Sequence, residues 1–218
     1  CQLCTELCQQ ANTEIETITR WQDQLSYGFH EVKLFLASES FDAARHFEVF
    51  RKRALANGGG MGLESRGEVN RMILESMGGW TETVALLHLL RGVFTLTVYR
   101  HGRAFAHNEA ERVMFTKCTE DKARHLAYGL EHLKYAIAHQ QDQAMILEQV
   151  LAIGEHVLLR ELKDPVMREC LAIIFAGGIE GAGSEGMAKF EHLMGDYVRH
   201  YLSLCDWLGL QRRSMMPN

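Results

Sequence analysis

One five-residue pattern occurs twice in this chain and constrains it more than any other feature. Asp42-Ala43-Ala44-Arg45-His46 precedes Phe47-Glu48-Val49-Phe50, and Asp121-Lys122-Ala123-Arg124-His125 precedes Leu126-Ala127-Tyr128-Gly129. Both copies read Asp-x-Ala-Arg-His, in proline-free stretches with apolar residues at three- and four-residue spacing, which predicts that each lies mid-helix. Asp and His stand at i and i+4, so they share a helix face in both copies. Two helices that each turn an acid and an imidazole inward predict a bundle with a pseudo-twofold polar site at its centre.

Composition supports a helical chain. Of 218 residues, 47% are hydrophobic and only 2 are proline, and alternating polarity is scarce, which favours an all-α fold in one domain. Disorder is expected in the last few residues alone. The net charge of −5 contains one basic cluster, Arg51-Lys52-Arg53, placed where it complements a helix C-terminus, so nucleic acid is not an implied partner. The longest apolar run, Val84 to Tyr99, is interrupted by His88 and Arg91, so no membrane span is expected. Cys1, Cys4 and Cys8 follow one helix face and are read as core packing, since no CxxC pair completes a metal set. Cys118, Cys170 and Cys205 are read as reduced, buried thiols of a cytoplasmic protein. The chain has no signal peptide, and it opens without Met inside a helical period, so a fragment or processed form is expected.

Along the chain, a first helix gives way to a second at Thr13, where Thr13 and Glu16 form a candidate capping box; the second runs through His46 to the stop at Ala56 to Gly60. A short helix is expected from Glu64 to Met77. Thr81 then caps a central apolar helix reaching about Ala106, on which His88, Arg91 and Thr95 form a polar stripe that needs partners. Asn108 and Glu111 open the helix that carries the second motif to His139, aligning Asp121, His125 and His132. Asp142 caps a helix from Gln143 to Leu162, Asp164-Pro165 starts the next, and Met187 to Leu208 forms the last. The adjacent pairs Glu155-His156 and Glu191-His192 are expected to face solvent, and no nucleophilic triad is legible, so catalytic residues stay unassigned.

The paired motif resembles the ferritin-like di-iron carboxylate proteins, in particular the bacterial oxygenase-type branch whose metal helices read Asp-Glu-x-Arg-His. The resemblance covers residues 1–140 as a ferritin-like helical bundle, with 141–218 as additional helices packed on it. It implies that His46 and His125 are metal ligands and that Asp42 and Asp121 hydrogen-bond ligand histidines or serve as variant ligands. The family's glutamates are replaced: Ala43 and Lys122 stand at two of those positions, and Arg91 stands near the third. The fourth is expected before Cys1.

Those replacements divide the functional expectation. Bridging carboxylates offset the repulsion between two metal ions, whereas Lys122 and Arg91 add positive charge, so at most one weakly held ion is expected. One reading is a metal-dependent oxidase or oxygenase with a variant site for iron or another divalent metal, acting on an unidentified small molecule. Another is a metal-free descendant serving as a binding or interaction module, with Arg91 and Lys122 neutralised by Asp42 and Asp121. A third is an unrelated helical protein in which the motif pair is coincidental. A homodimer is compatible with all three.

Overall fold

A computed structural model describes residues 1–63, 67–76 and 78–212, and among these the chain is all-α. Helices α1 (Gln2–Gln24) and α2 (His30–Gly58) form an antiparallel hairpin. The turn between them falls at residues 25–29, later than the sequence suggests. Thr13 does not cap a helix: its hydroxyl donates to the Gln9 carbonyl at 3.0 Å inside α1. Helix α2 ends as expected, with Gly59 in the left-handed region at φ 68°.

Helix α3 (Glu68–Leu74) lies within the short helix expected from sequence, whose limits Glu64 and Met77 fall outside the described residues. Next comes one continuous rod, Trp80–Ala104, built of α4 (Trp80–Val84), a π-helical segment (Ala85–Arg91) and α5 (Gly92–Ala104). Gly79, not Thr81, stands at its N-cap. The rod is long and apolar enough to cross a membrane, but 89% of its most apolar stretch is buried inside the bundle, so here it is the core helix.

Helix α6 (Glu109–His139) runs back along the rod. Asn108 Oδ1 accepts from the Glu111 amide at 2.9 Å, and the Glu111 carboxylate pairs with Arg53 on α2. Helices α7 (Gln143–Leu162), α8 (Pro165–Ala176) and α9 (Met187–Leu208) follow, with a π turn at Ala182–Gly186 before α9. Asp142 makes no side-chain cap, whereas Asp164 accepts from the Val166 amide at 2.9 Å with Pro165 at the first helical position. These helices cover the rest of the core: α7 packs on α3 and the π segment, α8 on α1, and α9 on α5.

The cysteines from position 4 onward are buried thiols, and Cys1 is exposed. Glu155 departs from the sequence reading. It is buried, accepts from the Tyr201 hydroxyl at 2.6 Å, and pairs with Arg212, while its neighbour His156 is exposed. Glu191 and His192 are exposed as expected.

Candidate metal centre

The two motif helices meet as the duplication predicts. Their imidazoles, His46 and His125, are buried with ring centroids 6.4 Å apart. Because α2 and α6 cross antiparallel, residue i of one motif meets residue i+4 of the other. Asp42 Oδ2 therefore lies 3.2 Å from His125 Nε2, and Asp121 Oδ2 lies 3.1 Å from His46 Nε2. The aspartates serve each other's histidine rather than the one four residues on. Arg45 spans both acids, at 2.5 Å from Asp42 Oδ1 and 2.9 Å from Asp121 Oδ2. Arg124 mirrors it at 2.6 Å from Asp42 Oδ2 and 2.9 Å from Asp121 Oδ1. The guanidinium side chains, 48% and 52% exposed, form the layer between this cluster and solvent.

Beneath the ring lie two carboxyl groups that the sequence did not single out. Glu14 on α1 places Oε1 3.0 Å from His125 Nδ1 and Oε2 2.5 Å from the Lys122 ammonium. Glu39 on α2 places Oε1 2.8 Å from His88 Nε2 and 3.7 Å from His125 Nδ1. The first helix thus supplies a carboxylate from inside the chain, at Glu14. Lys122 neutralises Glu14 rather than Asp42 or Asp121. Arg91 is outside the cluster altogether: its guanidinium reaches Glu161 on α7 at 2.7 Å. Ala43 is buried and offers no donor.

Both acids lay within reach of pattern reading. Leu7, Ala11, Glu14 and Ile18 form one stripe of α1, and Leu36, Glu39, Ala43, His46 and Phe50 form one stripe of α2. An acid in the middle of an apolar stripe was the signal. His88 reaches Glu39 because α6 carries no side chain where the two helices touch: a Cβ on Gly129 would fall 2.4 Å from His88 Cβ. The cavities of about 570 and 630 Å³ beside α3 are lined by none of these residues.

Burial opposes ionisation of Glu14, but the Lys122 ammonium and His125 overcome it and hold the carboxyl well below its usual range. Burial pushes Glu39 well above the carboxylate range, and the Glu14 charge adds to this against the opposing pull of His125, so Glu39 keeps its proton. Burial also keeps His46 neutral and takes His88 down to about 3. Glu14, Asp42 and Asp121 are thus paired with the basic side chains Lys122, Arg45 and Arg124. Among the described residues, no donor reaches Glu39 Oε2 and nothing partners His88 Nδ1.

This arrangement fixes a pH response. As pH falls through the ordinary histidine range, near 6.5, the unfolded chain protonates His88 while the folded chain does not, so the His88 contribution to stability falls by about 2 kcal/mol between pH 7 and pH 5. Glu39 acts with the opposite sign. Its raised value gives a contribution that is complete below about pH 4.3 and lost as pH rises through the folded value. The two slopes oppose each other where their ranges overlap, above about pH 4.3. Glu39→Gln removes one of them, so urea midpoints should fall more steeply from pH 7 to pH 5 in the variant than in the wild type. Parallel profiles would mean that Glu39 is ionised in the folded chain.

No model of a known protein family matches the chain, and no curated protein matches it. The side chains themselves therefore carry the functional reading.

Proposed function

We propose that the chain is a ferritin-like protein of the oxidase or oxygenase type whose metal centre has contracted to a single divalent ion, held by Glu14, Glu39 and His125. The observation that carries this reading is the convergence of these three buried donors, whose ligand atoms lie within 4.8 Å of one another. Octahedral bonds of about 2.1 Å place adjacent donors about 3.0 Å apart, and the separations from His125 Nδ1 are 3.0 Å to Glu14 and 3.7 Å to Glu39. His88, against Glu39, is the fourth donor at hand. The residues do not fit a pair of ions, because Ala43 contributes nothing and the Lys122 ammonium stands where a second positive charge would be.

The protein's own groups then have defined tasks. Asp42, on His125 Nε2, fixes the tautomer that leaves Nδ1 free for the ion. Arg45 and Arg124 hold Asp42 in that position. Lys122 binds Glu14 Oε2 and leaves Oε1 to the site. Glu39 releases its proton when an ion arrives, which makes binding pH-dependent. A bound ion such as iron would supply redox chemistry and Lewis acidity at the open positions of its coordination sphere.

Thermal melting with and without Mn²⁺ tests this. An ion that binds only the folded state adds about 2.7 kcal/mol at 100 times its Kd. The wild-type chain is expected to melt higher in Mn²⁺, and Glu39→Gln is expected to lose most of that increment. If Mn²⁺, Fe²⁺ and Co²⁺ all leave melting unchanged, the ion pairs that Lys122, Arg45 and Arg124 make with the cluster's acids favour the metal-free reading, in which the cluster is the polar core of a binding module.

A further inference from the structure

A second group of donors lies on the other flank of the rod, independent of the buried cluster. His192 and Asp196 stand four residues apart on α9, and His101 projects from α5 against them. Asp196 Oδ2 is 2.8 Å from His101 Nε2 and 3.5 Å from His192 Nε2, with the two imidazole centroids 5.4 Å apart. Arg199 pairs with the other oxygen, Oδ1, and so holds Oδ2 toward the rings. His101 is buried, Asp196 is intermediate and His192 is exposed, so one side of the group is packed and the other opens to water. Beside it lies a cavity of about 400 Å³, lined by His101 and Asp196 together with Arg100, His200 and Ser203.

We infer that His101, His192 and Asp196 form a binding site for a borderline divalent cation of the zinc type. Two imidazoles and one carboxylate are a three-ligand set that zinc accepts with a fourth position open. Tetrahedral bonds of about 2.1 Å separate donors by about 3.4 Å, between the two spacings seen here, so small side-chain rotations close the site. Hard ions that demand six oxygens are poorly served by two nitrogens and one carboxylate. The open position faces the cavity, where water or a small anion beside Arg100 completes the coordination. Because the ligands come from α5 and α9, the bound ion ties the last helix to the core rod.

The test uses zinc alone as the probe, titrated by calorimetry into the full chain, with His192→Ala and Asp196→Asn as variants and His156→Ala as the control on an exposed imidazole of α7. His192 is exposed and its loss does not threaten folding. Loss of a ligand is expected to weaken zinc binding at this site by roughly tenfold or more, as loss of even an outer-shell partner can. The control is expected to bind as the wild type does. Zinc stoichiometry and affinity unchanged in both site variants would overturn the proposal, and so would an equal loss in His156→Ala. The buried cluster is intact in all three variants, so an ion held there contributes equally and drops out of the comparison.

Discussion

Lys122→Met is expected to destabilise the metal-free protein by about 3–5 kcal/mol, the usual consequence of removing one partner from a buried ion pair. Lys122 and Glu14 are both buried, and the ammonium is the cation nearest the Glu14 carboxylate, so the variant leaves an anion in the core without its ion-pair partner. The same variant frees Glu14 Oε2 for a metal ion. Adding Mn²⁺ should therefore recover more stability in Lys122→Met than it adds to the wild type. Pairing Lys122→Glu with Ala43→Glu goes further, because it recreates two Glu-x-x-His helices on either side of His46 and His125, with Glu14 already in place as a third carboxylate. Arg91 has no part in that restoration. Urea unfolding in chelator and in Mn²⁺ measures these effects. A loss within about 0.5 kcal/mol in chelator, the range of surface substitutions, would show that the ammonium is not buried in solution.

Arg91→Ala is the second large effect, also expected at about 3–5 kcal/mol and for a reason unrelated to the metal centre. Glu161 accepts from Arg91 Nη2 at 2.7 Å and from the Val69 amide at 3.0 Å, so one carboxylate joins the rod, α7 and the start of α3. With the guanidinium gone, that charge stays buried against a single amide. The double variant Arg91→Met, Glu161→Gln keeps volume and an acceptor for Val69 while removing both charges. It should be more stable than Arg91→Ala, and the difference in urea midpoints checks it. A double variant no better than the single one would show that the unpaired Glu161 charge is not the source of the cost.

Much of this was written in local pattern. The repeated Asp-x-Ala-Arg-His motif located both imidazoles on inward faces, because a shared i, i+4 face is a property of one helix. Pairing between helices was not local. Only the antiparallel crossing of α2 and α6 dictates that Asp42 serves His125 and Asp121 serves His46. Glu14 was hidden by a boundary: with Thr13 taken as a cap, Glu14 falls in a first turn, where acids are common and unremarked. In the folded chain α1 continues ten residues beyond it, to Gln24. Glu39 was hidden by the motif itself, which directs attention to position 43. The partners of Arg91 and Lys122 follow from which helices surround the rod, and the spacing of charges along a sequence does not encode that.

The rod Trp80–Ala104 carries a further consequence. Residues 88, 91 and 95 would share one face of a regular α-helix, yet through the π segment they fan out to three neighbours: His88 to Glu39 on α2, Arg91 to Glu161 on α7, and Thr95 to Gln10 on α1. A π turn holds an extra residue relative to an α turn, so Ala85–Arg91 sets the rotational phase of α5 against everything before it. Deleting one residue there would swing the downstream half by about 100°. That would carry Thr95 off Gln10 and His101 off Asp196 in one step. Substitutions in the same stretch act only on their own contacts. Chain length between Trp80 and Gly92 is thus a stricter requirement than the identity of most residues within it, and the two polar clusters at either end of the rod are kept in register by a count of residues.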